Sequence, residues 1–236
     1  MVNRTTTDLG EIPMLLRGDP VQLRGWLADF RARRGLVCVA VIVAGAALYG
    51  AAMGCWRAPE QALYTAIKFP LVLLATTVGN ALLNGVLAPL LGLQINFRQS
   101  TLAILMSQTI AVTILAAFSP LVFFTVWNLP PMATPEARAG AFAFLQVTQV
   151  LAIAFAGTTA NVHLFRLLRS WGSSASVARN VLVAWLAGNL LLGTQLTWIL
   201  RPFFGSPHLA VQFLRADALR GNFFESVAYS ITYLFR

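Results

Sequence analysis

The chain has 236 residues, 58% hydrophobic and only 11% charged, with a mean hydropathy of +0.71. Soluble domains are about a quarter charged, so an ordinary soluble globular domain is excluded. The net charge of +9 comes from 17 basic and 8 acidic residues, and every basic residue except Lys68 is arginine. No basic stretch is interleaved with aromatics. The excess therefore reads as arginine meeting anionic lipid rather than nucleic acid.

Residues 1–20 read as a polar tail containing the turn-like Arg17-Gly-Asp-Pro20. The Arg-Gly-Asp triplet is taken as a turn rather than an integrin ligand. No cleavable signal peptide is expected, because acids and arginines run through the first 34 residues. Residues 21–34 suggest an amphipathic helix. Val21, Leu23, Trp26, Leu27 and Phe30 make an apolar side, and Arg24, Arg31, Arg33 and Arg34 are able to meet headgroups. Such a segment lies in the membrane interface or simply leads into the first span.

Five long apolar runs follow, near residues 36–54, 66–92, 100–128, 139–162 and 180–200. A bilayer core about 30 Å thick needs about 20 apolar residues in a helix. The only acids between Gly35 and Leu200 are Glu60 and Glu136, both outside the runs. A membrane β-barrel is disfavoured because the runs are continuously apolar instead of alternating.

The first run carries Ala46, Gly50 and Gly54 at four-residue spacing, with Gly45 beside them. Small residues on one helix face allow close approach of a second helix, from this chain or another subunit. Cys38 and Cys55, near the ends of this run, stand about 25 Å apart along a helix, beyond disulfide reach. The second run is expected to start near Lys68-Phe-Pro70, with the proline in its first turn. It holds Asn80 and Asn84 on one face and ends or kinks near Pro89. A short link containing Arg98 turns it into a hairpin with the third run, which carries Gln108, a bend at Ser119-Pro120 and an anchoring Trp127. The fourth run has Gln146 and Gln149 and leaves through a basic exit, His163 to Arg169. Gly172 to Ser176 form a small-residue linker. The fifth run has Asn189 and Gln195 and ends at Arg201-Pro202. Beyond it, 208–220 and 222–235 look like short interfacial or reentrant helices.

The predicted fold is all-α: a polytopic transmembrane bundle of five spanning helices with interfacial amphipathic helices at both ends. Residues 1–35 form the tail and interfacial helix, 36–201 the bundle, and 202–236 an interfacial or reentrant segment. Ten basic residues flank one side of the spans and three the other in the short connections. That bias favours a cytoplasmic amino terminus in a membrane such as the bacterial inner membrane.

Chemistry inside the bundle is limited. Proton- or ion-coupled transport needs a carboxylate or histidine within the membrane. The predicted spans contain none, and no protease, paired-histidine haem, nucleotide or metal-ligand pattern occurs. No catalytic residue, metal or cofactor is expected. What remains is a set of amides: Asn80, Asn84, Gln108, Gln146, Gln149, Asn189 and Gln195. They either bond across helices or line a polar cavity. Arg31, Arg33, Arg34, Arg166 and Arg169 are the candidate headgroup contacts.

The Asp19-Pro20 lead-in, the amphipathic 21–34 stretch and the five runs from 36 to 200 together resemble the Yip1-like family of small polytopic proteins. The resemblance implies a cytoplasmic amino-terminal segment, about five closely spaced helices and a role in membrane organisation rather than catalysis. The leading functional expectation is a non-catalytic structural or assembly subunit of a larger membrane complex, partnered by lipid, including anionic lipid, and by other membrane subunits. The alternatives are a carrier or channel for a neutral or lipid-like substrate, using the amides, and an accessory subunit of an enzyme whose cofactors lie on other chains.

Overall fold

Apolar periodicity and capping residues divide the chain into helices joined by short links. The computed structural model describes residues 8–28, 32–129, 135–172, 174–205 and 210–235, and no strand occurs among them. A 3-10 turn, Asp8–Glu11, leads into α1 (Ile12–Arg17) and α2 (Pro20–Ala28). The five long helices are α3 (Ala32–Gly54), α4 (Pro59–Leu90), α5 (Phe97–Asn128), α6 (Pro135–Trp171) and α7 (Ala175–Ile199). All five are long and apolar enough to cross a membrane, so the chain is an integral, multi-pass helical membrane protein. A short helix, α8 (Phe223–Leu234), follows.

The Arg-Gly-Asp triplet is a helix joint. Gly18 takes the left-handed conformation (φ 66°) that ends α1, donating its N–H to the carbonyls of Met14 and Leu15. Asp19 then accepts from the N–H groups of Val21 and Gln22 at the start of α2. α2 turns Leu23, Trp26 and Leu27 into the protein, where they join a core with Leu102, Leu164 and Leu168. This part of the apolar side is therefore covered by α5 and α6. Phe30 and Arg31 lie outside the described residues.

Several boundaries differ from the sequence expectation. α3 begins at Ala32 and absorbs Arg33 and Arg34. α4 begins at Pro59 rather than near residue 66, because Pro59 occupies the tolerant first turn and Glu60 places a negative charge at the helix start. Pro70 is consequently inside the helix, and Lys68 is buried about 14 Å along its axis instead of sitting at its mouth. α6 runs on to Trp171, so His163, Arg166 and Arg169 are helical and His163 is interior to that helix. Residues 210–222 form turns, not the expected helix over 208–220. The Arg201 guanidinium takes the carbonyls of Asp217, Ala218 and Arg220 at 2.7–3.1 Å, oxygens that a helix would use for its own amides.

α3 is the central helix, packed along both α4 and α5, more extensively than those two pack on each other. α7 lies against α4 and α6, and α8 against α6. The links alternate the direction of the spans, which gives the bundle two ends. The near end holds α1, α2 and the starts of α3, α5 and α7. The far end holds the starts of α4 and α6, the segment 200–222 and α8. Among the links, Asn96 and Gln99 form a reciprocal cap at the start of α5, with bonds of 2.8 and 3.1 Å.

Candidate functional site

The buried face of α4 carries polar residues along most of its length, interrupted at Val72. Gln61, Thr65, Lys68, Thr76, Asn80 and Asn84 recur at three-, four- and eight-residue intervals and are all buried. Residues 61 to 84 extend about 35 Å, comparable with the bilayer core. Its outward residues, including Leu63, Ile67, Leu71, Val78, Leu82 and Val86, are exposed and apolar. The helix is thus matched to lipid outside and carries polarity inside.

The two halves of this face are used differently. In the far half, the segment after α7 folds in against it. Gln61 Nε2 donates to the carbonyls of Pro202 (2.9 Å) and Phe203 (3.1 Å), the Thr65 hydroxyl reaches Phe203 O at 2.6 Å, and Lys68 Nζ reaches Pro202 O at 3.2 Å. The Lys68 ammonium also lies 4.8 Å from the Phe213 ring centre. In the near half, Thr76 Oγ1 and both amide atoms of Asn80 and of Asn84 have no hydrogen-bond partner among the described residues. Facing them, α7 contributes Trp185 Nε1 and Asn189 Oδ1, which also have none. Asn80 Oδ1 lies beside Gly188, where a Cβ would come within 2.7 Å. Each unpaired buried polar group costs about 1–3 kcal/mol, so this α4–α7 seam concentrates unspent hydrogen-bonding capacity.

The other amides behave differently. Gln146 joins α6 to α8, donating to Ser226 Oγ (2.9 Å) and accepting from Ser230 Oγ (2.6 Å). Gln149 accepts from the Tyr49 hydroxyl, tying α6 to α3. Gln108 is half-buried and Gln195 is exposed, so neither belongs to the α4–α7 cluster. The seven amides therefore separate into a bonded pair on α6, an unpaired group on α4 and α7, and two outliers.

The small-residue stripe faces inward. A Cβ on Gly50 would meet Thr65 O at 2.6 Å, and one on Gly54 would meet Gln61 O at 2.6 Å. Gly45 is equally tight against Val112 of α5, and Ala46 is buried in the same core. The stripe is thus consumed by α4 and α5 of the same chain.

Among the headgroup candidates, Arg33, Arg166 and Arg169 are exposed at the near end. Arg34 is a clamp instead: it pairs with Glu11 at 3.3 Å, donates to Trp26 O at 2.8 Å and lies 5.5 Å from the Trp26 ring centre. No group of three or more metal-ligating side chains occurs among the described residues.

At the far end, a cavity of about 180 Å3 lies between α6, α7, α8, residues 201–205 and Arg215. Its lining includes the polar Thr197, Arg201, Arg215 and Ser226 and the apolar Phe142, Phe204 and Phe223. Sequence reasoning missed Gln61, Thr65, Lys68, Arg201 and Arg215. The available signal was the i, i+4, i+7 spacing of Gln61, Thr65 and Lys68, together with the use of lysine at one position in a chain otherwise basic through arginine.

No family model matches the chain, and neither a curated protein nor a solved structure shows detectable similarity to it.

Proposed function

We propose that this protein is a non-catalytic membrane carrier or channel for a neutral or lipid-like substrate, with the buried polar face of α4 as its working element. The observation that carries the reading is the cluster of unpaired groups on Thr76, Asn80, Asn84, Trp185 and Asn189. Polar groups at bilayer depth need partners, and residues with such unmet capacity mark substrate paths in membrane proteins. The amides bind by hydrogen bonds without charge, which suits a hydroxyl-, amide- or ester-bearing ligand.

In this reading the chain sits in a bacterial inner membrane with a cytoplasmic amino terminus. Arg201 and Arg215 line the far-end cavity, and the exposed arginines lie mostly at the near end, in keeping with that orientation. The organisational likeness to the Yip1-like family implies membrane organisation or a scaffold role and goes with the second reading, a structural subunit.

The test is reconstitution of the full chain in vesicles carrying a fluorescent nitrobenzoxadiazole-labelled phospholipid, with dithionite quenching as the readout, and a parallel glycerol-permeation assay. Wild-type protein should accelerate at least one process over protein-free vesicles, and the Asn80→Leu/Asn84→Leu double variant should remove the acceleration while inserting normally. Rates equal to those of protein-free vesicles in both assays overturn the reading.

A structural or assembly subunit of a larger complex is the second reading. It is favoured by α7, whose apolar window is only 17% buried, the least enclosed of the five spans. Mild-detergent purification tests it: a monomer without a co-purifying partner removes this reading.

A further inference from the structure

We propose that the far-end cavity is a binding site for a phosphate-bearing anion, with Arg215 as its principal ligand. The inference is independent of the transport reading, because the cavity and the unpaired amides are at different depths of the bundle.

The first argument is charge. Lys68, Arg201 and Arg215 gather around residues 202–205 and 213–215: Lys68 touches Pro202 and Phe213, and Arg201 and Arg215 line the cavity. Two carboxylates are near: Asp217, 3.4 Å from Arg201 and more than half exposed, and Glu225, exposed at the start of α8 and bonded to Asn222. Like charges gathered in partly desolvated surroundings repel one another more strongly than in water.

The second argument is a division of labour between two arginines. Arg201 is fully engaged. It donates to the carbonyls of Trp198, Asp217, Ala218 and Arg220 and stacks 4.0 Å from the Trp198 ring centre. It builds the wall of the cavity. Arg215 Nε is fully buried and has no hydrogen-bond partner among the described residues. Burial pulls its guanidinium below the ordinary value; Asp217 opposes this and Arg201 adds to it. A bound anion would supply the missing acceptor and relieve the repulsion together. Lys68 lies behind the cavity. Its ammonium has three donors, and one carbonyl, Pro202 O, is the acceptor recorded for it.

The third argument is the make-up of the lining. It combines Thr197, Ser226 and Arg215 with the Phe142, Phe204 and Phe223 rings, and Ser226 Oγ also accepts from Gln146. That arrangement fits a phosphate carried on a short apolar stem. A phospholipid headgroup and a free phosphate share this chemistry, and planar guanidinium forks recognise both.

The test uses the full chain in dodecyl maltoside, with thermal unfolding followed by tryptophan fluorescence. Dioleoylphosphatidylglycerol, dioleoylphosphatidylcholine and inorganic phosphate are titrated separately. The expected result is saturable stabilisation by phosphatidylglycerol over phosphatidylcholine, weakened about tenfold or more in Arg215→Gln. Arg215→Lys should retain part of it, and Arg179→Gln, at the near end, should leave it unchanged. Saturable, Arg215-dependent stabilisation by inorganic phosphate alone also supports the site and names free phosphate as the source. Equal responses to the two lipids with no phosphate response overturn the proposal, as does an unchanged response in Arg215→Gln. If Arg215→Gln does not fold, the decision passes to Arg215→Lys and the wild-type selectivity: absence of selectivity for an anionic ligand in wild type overturns the proposal, and selectivity weakened in Arg215→Lys supports it.

Discussion

Lys68 and Pro202, 134 residues apart in sequence, meet through a 3.2 Å hydrogen bond from the lysine ammonium to the proline carbonyl. The same carbonyl receives the Gln61 amide at 2.9 Å. One backbone oxygen therefore has two donors from α4, and the donors are not equivalent. Gln61 also reaches Phe203 O, whereas Lys68 brings a charge into the neighbourhood of Arg215. Gln61→Leu should lower stability by about 1–3 kcal/mol, because it removes a donor shared by two buried carbonyls. Lys68→Met should cost less than about 1 kcal/mol, since Gln61 still satisfies Pro202 and a repulsion is removed. Thermal unfolding in detergent compares the two, and a larger loss in Lys68→Met than in Gln61→Leu would show that the lysine bond, not the glutamine, holds the segment.

Gly50 and Gly54 touch α4 backbone, which cannot retreat as a flexible side chain can. A methyl group at either site comes within 2.6 Å of backbone oxygen. Gly50→Ala and Gly54→Ala should each destabilise by about 1–3 kcal/mol through overpacking. Gly157→Ala has open space around it and should be neutral or slightly stabilising through helix propensity. Unfolding midpoints of the three variants in one detergent measure the contrast.

Asn80 and Asn84 are buried at full cost and receive nothing in return from the described residues. Replacing both with leucine, of the same branched shape but larger, trades four unpaired polar atoms for some overpacking and should keep thermal stability in detergent. A fall of more than about 2 kcal/mol would mean that the amides hold the bundle together and would remove the basis for assigning them to a ligand.

Cys55 and Cys38 provide a test of sidedness. Cys55 is exposed just after α3, and Cys38 is buried within it. An impermeant maleimide added to intact cells should label Cys55 if the amino terminus is cytoplasmic, and Cys38 should react only after denaturation. Burial pushes the Cys55 thiol above its ordinary value. Less thiolate is then present at neutral pH, so labelling should be slower than for a free thiol and should accelerate as pH rises. Labelling only in inverted vesicles reverses the orientation.

The five spans were legible because hydropathy is a local property: each run must match the bilayer by itself, whatever its neighbours. The four-residue stripe at Ala46, Gly50 and Gly54 was legible for a similar reason, since helical geometry alone puts those residues on one face. Its partner was not legible, because a stripe fits any close helix; here it fits α4 and α5 of the same chain. The start of α4 was displaced because Pro59 and Pro70 both suit a first turn locally. Only with Gln61, Thr65 and Lys68 facing Pro202 and Phe203 does the longer helix explain itself.

Gln146 and Asn80 show where sequence stops. Both are amides on apolar helices, and both chemistries ask for partners. Gln146 finds Ser226 and Ser230, 80 and 84 residues away, while Asn80 faces Gly188, which has no side chain to offer. The sequence by itself determined the solvent, the number of spans and the scarcity of charge within them. Tertiary structure alone decided which polar groups are satisfied and where the arginines gather, because a hydrogen bond depends on distance and direction between residues remote in the chain, and no local pattern encodes either.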